Sequence, residues 1–503
     1  MSSDAARVVI ASNRGPVSFT TEDGEPAARR GGGGLVSALS GVEFGDAGHV
    51  VWVCAALGET DRQVAARAPG GRVDRAGHEV GGIGVRMLDV PPATLEAAYN
   101  SVANSTLWFL HHLLFDTPRA PRFDAGWREM WERYREYNRS FAGAVAQEAA
   151  HGAKVAVQDY HLSLVPRMLR ERRPDLRIAH FTHTPWAPPE YFGMLPDDIA
   201  RELLRGILGA DHAGFLSRRW ARAFAACCAG LPDAHLQHPA GGAAAGPAAG
   251  PAAGAPRGVE HDGRVTALGV HGLGVDGAAQ RERSRAADVD ADYAELADRV
   301  GGRQLVLRVD RTELSKNILG GLAAYRELLR SYPRWRGQVV HLAFAYPSRQ
   351  DLAAYREYTE DVHALAREIV EEFGTADWCP VVLETDVSFA RSLAAYRLAD
   401  VLLVNPVRDG MNLVAKEVPV CSERDCVLVL SREAGAADDL GTDALLVNPF
   451  DIGETAESLH RALLMPSGER ASRAEGLAEA ATAMPPQRWL AEQLDALDSP
   501  HAC

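Results

Sequence analysis

The stretch NPVRDGMNLVAKE, residues 405–417, sets Arg408, Asp409 and Gly410 between the apolar run DVLLV and an amphipathic run that starts at Met411. The arrangement recurs. Asn13 and Arg14 follow RVVIAS, and a run of glycines ending at Gly34 comes soon after. Asp159, Tyr160 and His161 follow VAVQ, and His183 follows IAHFT. Asp310 and Arg311 follow LVLRV with Lys316 close behind, and Ser348 and Arg349 follow LAFAYP. Each has a plain structural reading alone: Asp or Asn after a strand caps a helix, glycines make loops, and a single histidine is more often core than ligand. Caps do not call for arginine and lysine, however. Arg311 and Lys316, five residues apart, can set two fixed positive charges on one diphosphate. Gly410, read as opening a helix, lets backbone N–H groups and the helix dipole reach an anion. Gly34 and the glycines before it offer a second backbone approach. Arg14, Tyr160 and Arg349 could cage another phosphate, and the carboxylates of Asp159 and Asp409 can accept from sugar hydroxyls. Two phosphate sites beside hydroxyl acceptors suggest a nucleotide sugar next to a sugar phosphate.

Such residues meet only if strands end side by side. Short apolar runs (RVVIAS, VVWVCAA, KVAVQD, RIAHFTH and HAGFLS, then QLVLRVD, QVVHLAFA, DVLLVNP, CVLVLS and ALLVNP) alternate with helical stretches such as LVPRMLRERRP and FARSLAAYRLA. This alternation predicts parallel sheets covered on both faces, the α/β class, with ligands at the carboxyl ends of the strands. A chain of 503 residues exceeds one core. It divides into two Rossmann-like doubly wound domains, residues 1–270 and 271–480, with residues 481–503 a C-terminal helix crossing back to the first. Residues 239–258, almost only Ala, Gly and Pro, read as a flexible surface insertion, with a domain linker as the alternative.

The apolar content of 47% and charged content of 24% are those of a globular protein. A formal charge of −14 argues against nucleic acid or an anionic membrane as partner, while leaving room for a small anion in a local basic pocket. Seven cysteines show no CxxC pair and no zinc spacing, so no metal is expected, and scattered thiols fit a reducing cytoplasm. The N-terminus does not read as a signal peptide, and no apolar stretch approaches the ~20 residues of a membrane span. The turn SNRGPVSF is not the GxGxxG of a dinucleotide-binding dehydrogenase, and no cofactor is expected. A homo-oligomer is left open.

The blocks ASNRGPVSF, YNSVANSTLW, VQDYHLSLVPRML, FTHTPWAPPEYF, VDRTELSKN, AYPSR and VRDGMNLVAKE together resemble the trehalose-6-phosphate synthase family, in order, from about residue 7 to about residue 451. The resemblance implies a GT-B fold, two Rossmann domains facing a cleft. It also implies retaining, metal-independent transfer of glucose from a nucleotide sugar to glucose 6-phosphate with an α,α-1,1 linkage. Arg14, Tyr99, Tyr160 and Arg349 match positions that hold the acceptor phosphate, and Trp108 and Asp159 match acceptor-sugar contacts. His183 and Asp409 match donor-glucose contacts, and Gly34, Arg311 and Lys316 match diphosphate contacts. Gly410, Met411, Asn412 and Leu413 fall in the donor site, and Glu417 matches the ribose contact. Arg408 has no role by resemblance, and an ion pair is its default.

The chain departs from the family at RTELSKN, residues 311–317, where the family usually reads RLDYSKG. It also has Ala55 near the place of a second Trp, and the Ala/Gly/Pro insertion. The donor base stays open among UDP, GDP and ADP. So do acceptors such as a glycerol or cyclitol phosphate, and a non-catalytic homologue. Double displacement would need a carboxylate on the face of the anomeric carbon opposite the leaving group. None is evident, which favours front-face transfer with Arg311, Lys316 and a helix dipole stabilising the departing diphosphate.

Overall fold

The computed structural model describes residues 5–22, 24–30, 49–78, 80, 82–117, 119–238 and 255–498. Gly34, the glycines before it and residues 239–254 lie outside them. The chain forms two compact units, Met1–His271 with Pro486–Cys503, and Gly272–Pro485.

In the first unit the strands are β1 (Ala6–Ala11), β2 (Val17–Glu22), β3 (Glu25–Arg30), β4 (Val50–Ala55), β5 (Gly84–Leu88), β6 (Ala149–Gln158), β7 (Arg177–Thr182), β8 (His212–Phe215), β9 (His235–Gln237), β10 (Gly258–His261) and β11 (Arg264–Val270). Nine of them form one sheet in the order β5-β4-β1-β6-β7-β8-β11-β10-β9, and β2 and β3 pair as a separate hairpin. The sheet is parallel from β5 to β11; β10 alone is reversed and pairs antiparallel with β11 on one side and β9 on the other. β4 and β8 are buried at every residue, because helices cover both faces. The helix Ala125–Glu148 buries Trp131, Tyr134, Tyr137 and Phe141, and Asp124 caps it by accepting from the Trp127 N–H. The C-terminal helix Pro486–Asp495 belongs to this unit. It buries Trp489 and Leu490, and the Trp489 indole donates to the His271 carbonyl at 3.2 Å.

The second unit holds one parallel sheet of six strands: β12 (Gln304–Arg311), β13 (Val339–Tyr346), β14 (Val381–Glu384), β15 (Val401–Val404), β16 (Val427–Ser431) and β17 (Leu445–Val447), in the order β14-β13-β12-β15-β16-β17. Helices Ile318–Ser331, Ala353–Phe373 and Ile452–Leu464 pack as one set; Ala287–Val300, Phe389–Leu398, Val414–Cys421 and Ser467–Thr482 pack as another. The sheet core of Leu305, Leu307, Leu342, Leu402 and Leu428 is buried between them. Among the described residues no helix is long and apolar enough to cross a membrane.

Strand order locates the functional ends. In the first sheet the chain runs outward from β1 to β4 and β5 on one side and through β6, β7 and β8 on the other. In the second it runs from β12 to β13 and β14, then returns through β15, β16 and β17 on the other side. Each reversal opens a crevice at the carboxyl ends, between β1 and β6 and between β12 and β15, the place where such sheets take ligands.

Candidate active site

At the reversal of the first sheet, β1 delivers Asn13 and Arg14, and β6 delivers Asp159 and Tyr160. Arg14 is exposed and donates to the Tyr99 hydroxyl at 3.2 Å. Tyr99 lies in a π-helix, Ala97–Leu107, an uncommon form that is frequent at functional sites. Its ring stacks on His161 at 5.7 Å. Five residues on, Asn104 accepts from the Tyr160 hydroxyl at 3.0 Å, and the next helix opens with Trp108, stacked on His112 and 5.9 Å from the Tyr160 ring. Tyr160 is 3% exposed, and its hydroxyl donates to Asn104. Below it, Tyr134 donates to the Tyr160 carbonyl at 2.6 Å, and Asn138 braces the same turn.

Asp159 has φ 72° and ψ 170°, a backbone region otherwise left almost entirely to glycine. The strain aims its carboxylate across to β7, where Oδ1 accepts the His183 N–H at 3.1 Å. The His183 imidazole bonds to Gln158 Oε1 at 2.9 Å and packs 5.5 Å from Trp489. Burial, with His180 nearby, pushes it down to about 3, so it is neutral at physiological pH.

At the reversal of the second sheet, Arg311 ends β12 and the turn after it holds Lys316. Arg311 is exposed, whereas Lys316 Nζ lies 2.6 Å from Asp409 Oδ2 and 3.8 Å from Asp310. Burial pulls the Lys316 ammonium down, but Asp409 and Asp310 outweigh it and hold its pKa above the ordinary value. Asp310 itself is pushed up by burial, against Arg308 and Lys316. The turn is fixed from below: Arg308, 1% exposed, donates to Asn405 Oδ1 at 2.6 Å and to the Lys316 carbonyl, and the Val407 N–H donates to the Ser315 carbonyl. Asn317, where the family usually has glycine, takes φ 57° and donates to the carbonyls of Asn405 and Pro449. Asparagine tolerates this left-handed conformation, which explains the departure.

The helix expected to open at Gly410 and Met411 begins at Val414. Asn412 is the reason. At φ 82° it breaks helical geometry, donates to Asp409 Oδ2 at 3.1 Å and accepts from the Ala415 N–H. Gly410, Met411 and Leu413 therefore form a turn that precedes the helix. Arg408 is 6% exposed with Glu433 3.8 Å away, in keeping with its default as an ion-pair residue. Glu417 accepts from the Tyr396 hydroxyl at 3.0 Å, and burial raises its pKa. Arg349, also in this unit, has φ 44° and donates to Glu313 at 2.6 Å and to the Tyr355 hydroxyl at 2.7 Å.

Within the first unit the structure thus groups Arg14 with Tyr99, Tyr160 with Trp108, and Asp159 with His183; within the second it groups Lys316 with Asp409 and Asn412. Gln158, Asn104 and Glu313 lie in stretches the sequence singles out but have no role assigned there, and Tyr355 lies in none of them. Gln158 carried a faint signal, a polar residue closing an apolar strand; the others are joined to their partners only by tertiary structure.

The profile of Glycosyltransferase family 20 matches residues 6–499. An alpha,alpha-trehalose-phosphate synthase [UDP-forming] of Schizosaccharomyces pombe is 32% identical over 477 residues, covering 93% of this chain and 86% of its own. An Escherichia coli trehalose-6-phosphate protein solved with UDP-2-fluoro glucose superposes with TM-score 0.82 at 26% identity, over 98% of this chain and 99% of that one. A UDP-forming alpha,alpha-trehalose-phosphate synthase from Burkholderia xenovorans, solved with glucose-6-phosphate, gives TM-score 0.81 at 26% identity, over 98% of this chain and 100% of that one.

Proposed function

We propose, for a chain that belongs to glycosyltransferase family 20, that it is a retaining glucosyltransferase which moves glucose from a nucleotide-glucose to glucose 6-phosphate and releases α,α-trehalose 6-phosphate. UDP-glucose is the donor we assign, after the UDP-forming relatives. The observation that carries the reading is the polar cluster at the β12–β15 reversal: an ammonium held by two carboxylates, with an exposed arginine beside it.

Arg311 and Lys316 take the donor diphosphate. Lys316 arrives already oriented by Asp409, so little reorganisation accompanies the growth of charge on the leaving phosphate. Asp409 and the neutral His183 accept and orient donor-sugar hydroxyls, and Glu417 takes the ribose. We assign Arg14, Tyr99, Tyr160 and Arg349 to the acceptor phosphate, and Trp108 and Asp159 to its sugar. The acceptor hydroxyl forms its bond to the anomeric carbon on the face from which the diphosphate oxygen departs. Its proton passes to that oxygen, so no protein carboxylate is required as nucleophile.

A donor panel tests this. UDP-, GDP- and ADP-glucose are each incubated with glucose 6-phosphate and release of nucleoside diphosphate is followed. Acceptor-dependent release that is fastest with UDP-glucose is expected; no acceptor-dependent release from any donor would refute the reading.

A further inference from the structure

We infer that Glu313 and Tyr355 are positioning residues that set the guanidinium of Arg349 for the acceptor phosphate, an inference that rests on the acceptor reading above. The Glu313 side chain is fully buried, and a buried carboxylate needs a cation and hydrogen bonds. It has both: Arg349 Nη1 at 2.6 Å and the Tyr355 hydroxyl, which also accepts from Arg349 at 2.7 Å. Tyr355 is itself buried, and the Arg349 guanidinium carbon lies 5.5 Å from its ring centroid. Arg349, Glu313 and Tyr355 thus form a closed triangle of hydrogen bonds.

The backbone adds a second constraint. Arg349 is held at φ 44°, where a residue with a β-carbon persists only if its surroundings over-determine it. The Leu352 N–H donates to its carbonyl at 2.9 Å. Glu313 belongs to the turn between Arg311 and Lys316, and its carbonyl accepts the Lys316 N–H. The loop assigned to the donor diphosphate therefore also carries the carboxylate that holds the acceptor arginine. Arg349 sits too far along the chain for that pairing to be read from the sequence.

Glu313→Gln keeps the shape and removes the charge; Tyr355→Phe keeps the ring and removes the hydroxyl. The readout is the ratio of kcat/KM for glucose 6-phosphate to that for glucose, with donor KM alongside. Glu313→Gln should raise the KM for glucose 6-phosphate by roughly tenfold or more, lower the ratio, and leave donor KM within about twofold; Tyr355→Phe should act in the same direction by a few-fold. In an Arg349→Ala background, Glu313→Gln should change the ratio no further. A ratio unchanged in both single variants, or one that falls equally with and without Arg349, would overturn the inference. If Glu313→Gln fails to fold, Tyr355→Phe decides alone. A wild-type enzyme that uses glucose as well as glucose 6-phosphate would overturn the acceptor reading and this inference together, an outcome distinct from a selective wild type whose variants stay selective.

Discussion

Lys316 Nζ sits 2.6 Å from Asp409 Oδ2, joining the ends of two neighbouring strands that the chain visits 93 residues apart. A third group, Asn412, donates to the same carboxylate oxygen at 3.1 Å. Lys316→Ala should lower turnover by roughly 10²–10³, as removal of a preorganised charge donor does at other leaving groups. Lys316→Arg should retain more activity than Lys316→Ala. Steady-state rates at saturating acceptor check both, and near wild-type turnover in Lys316→Ala would remove the diphosphate assignment.

Asp159 holds a backbone conformation that only glycine adopts without strain. Asp159→Gly and Asp159→Ala both remove the acceptor for the His183 N–H and should both lose most activity. They should differ in stability. The glycine variant relieves strain on the order of 1–3 kcal/mol and should melt higher than the alanine variant. Equal melting temperatures would show that the strain is absent.

His180 is 1% exposed in β7. Burial pushes its pKa down from 6.5 to about 4. The unfolded chain therefore takes up a proton below pH 6.5 that the folded protein refuses until about pH 4, so this group's contribution to stability falls as pH drops through that window. Relative to a His180→Leu variant, the wild type should lose about 2 kcal/mol of unfolding free energy between pH 7 and pH 5. Denaturant melts at the two pH values measure this, and a difference that does not change with pH would contradict it.

Gln237 and Gly258 are directly paired across β9 and β10, and the Arg257 N–H donates to the Gln237 carbonyl at 2.7 Å. The Ala/Gly/Pro insertion therefore begins and ends at neighbouring points. Deleting residues 241–255 should leave activity and cooperative unfolding nearly unchanged, because loop length enters stability only logarithmically. Loss of cooperative thermal unfolding in the deletion would assign the segment a structural role.

What the sequence made legible follows from the physics of parallel strands. Buried strands such as Val50–Ala55 and Val401–Val404 read as apolar runs, and the polar residues Arg14, Asp159, Arg311 and Asp409 stand at or within a few residues beyond strand ends in the structure. The paired strands Val17–Glu22 and Glu25–Arg30 went unread because they lie partly exposed and carry little apolar alternation. The π-helix Ala97–Leu107 was equally silent, since its five-residue spacing matches neither strand nor α-helix periodicity. The helix start was misplaced by three residues at Asn412, whose positive φ no local pattern announces. The contacts that orient the site are long-range: Gln158 to His183, Asn104 to Tyr160, and Glu313 to Arg349 each join segments that only the fold brings together.

The central claim is transfer of glucose with retention to the anomeric hydroxyl of glucose 6-phosphate. The most direct measurement is proton NMR of the reaction of UDP-glucose with glucose 6-phosphate, reading the anomeric couplings of the product as it forms. The account predicts a single phosphorylated disaccharide with both anomeric protons showing the small coupling of an α,α-1,1 linkage. A β-linked product, a product with a free reducing end, or free glucose released by hydrolysis alone would contradict it.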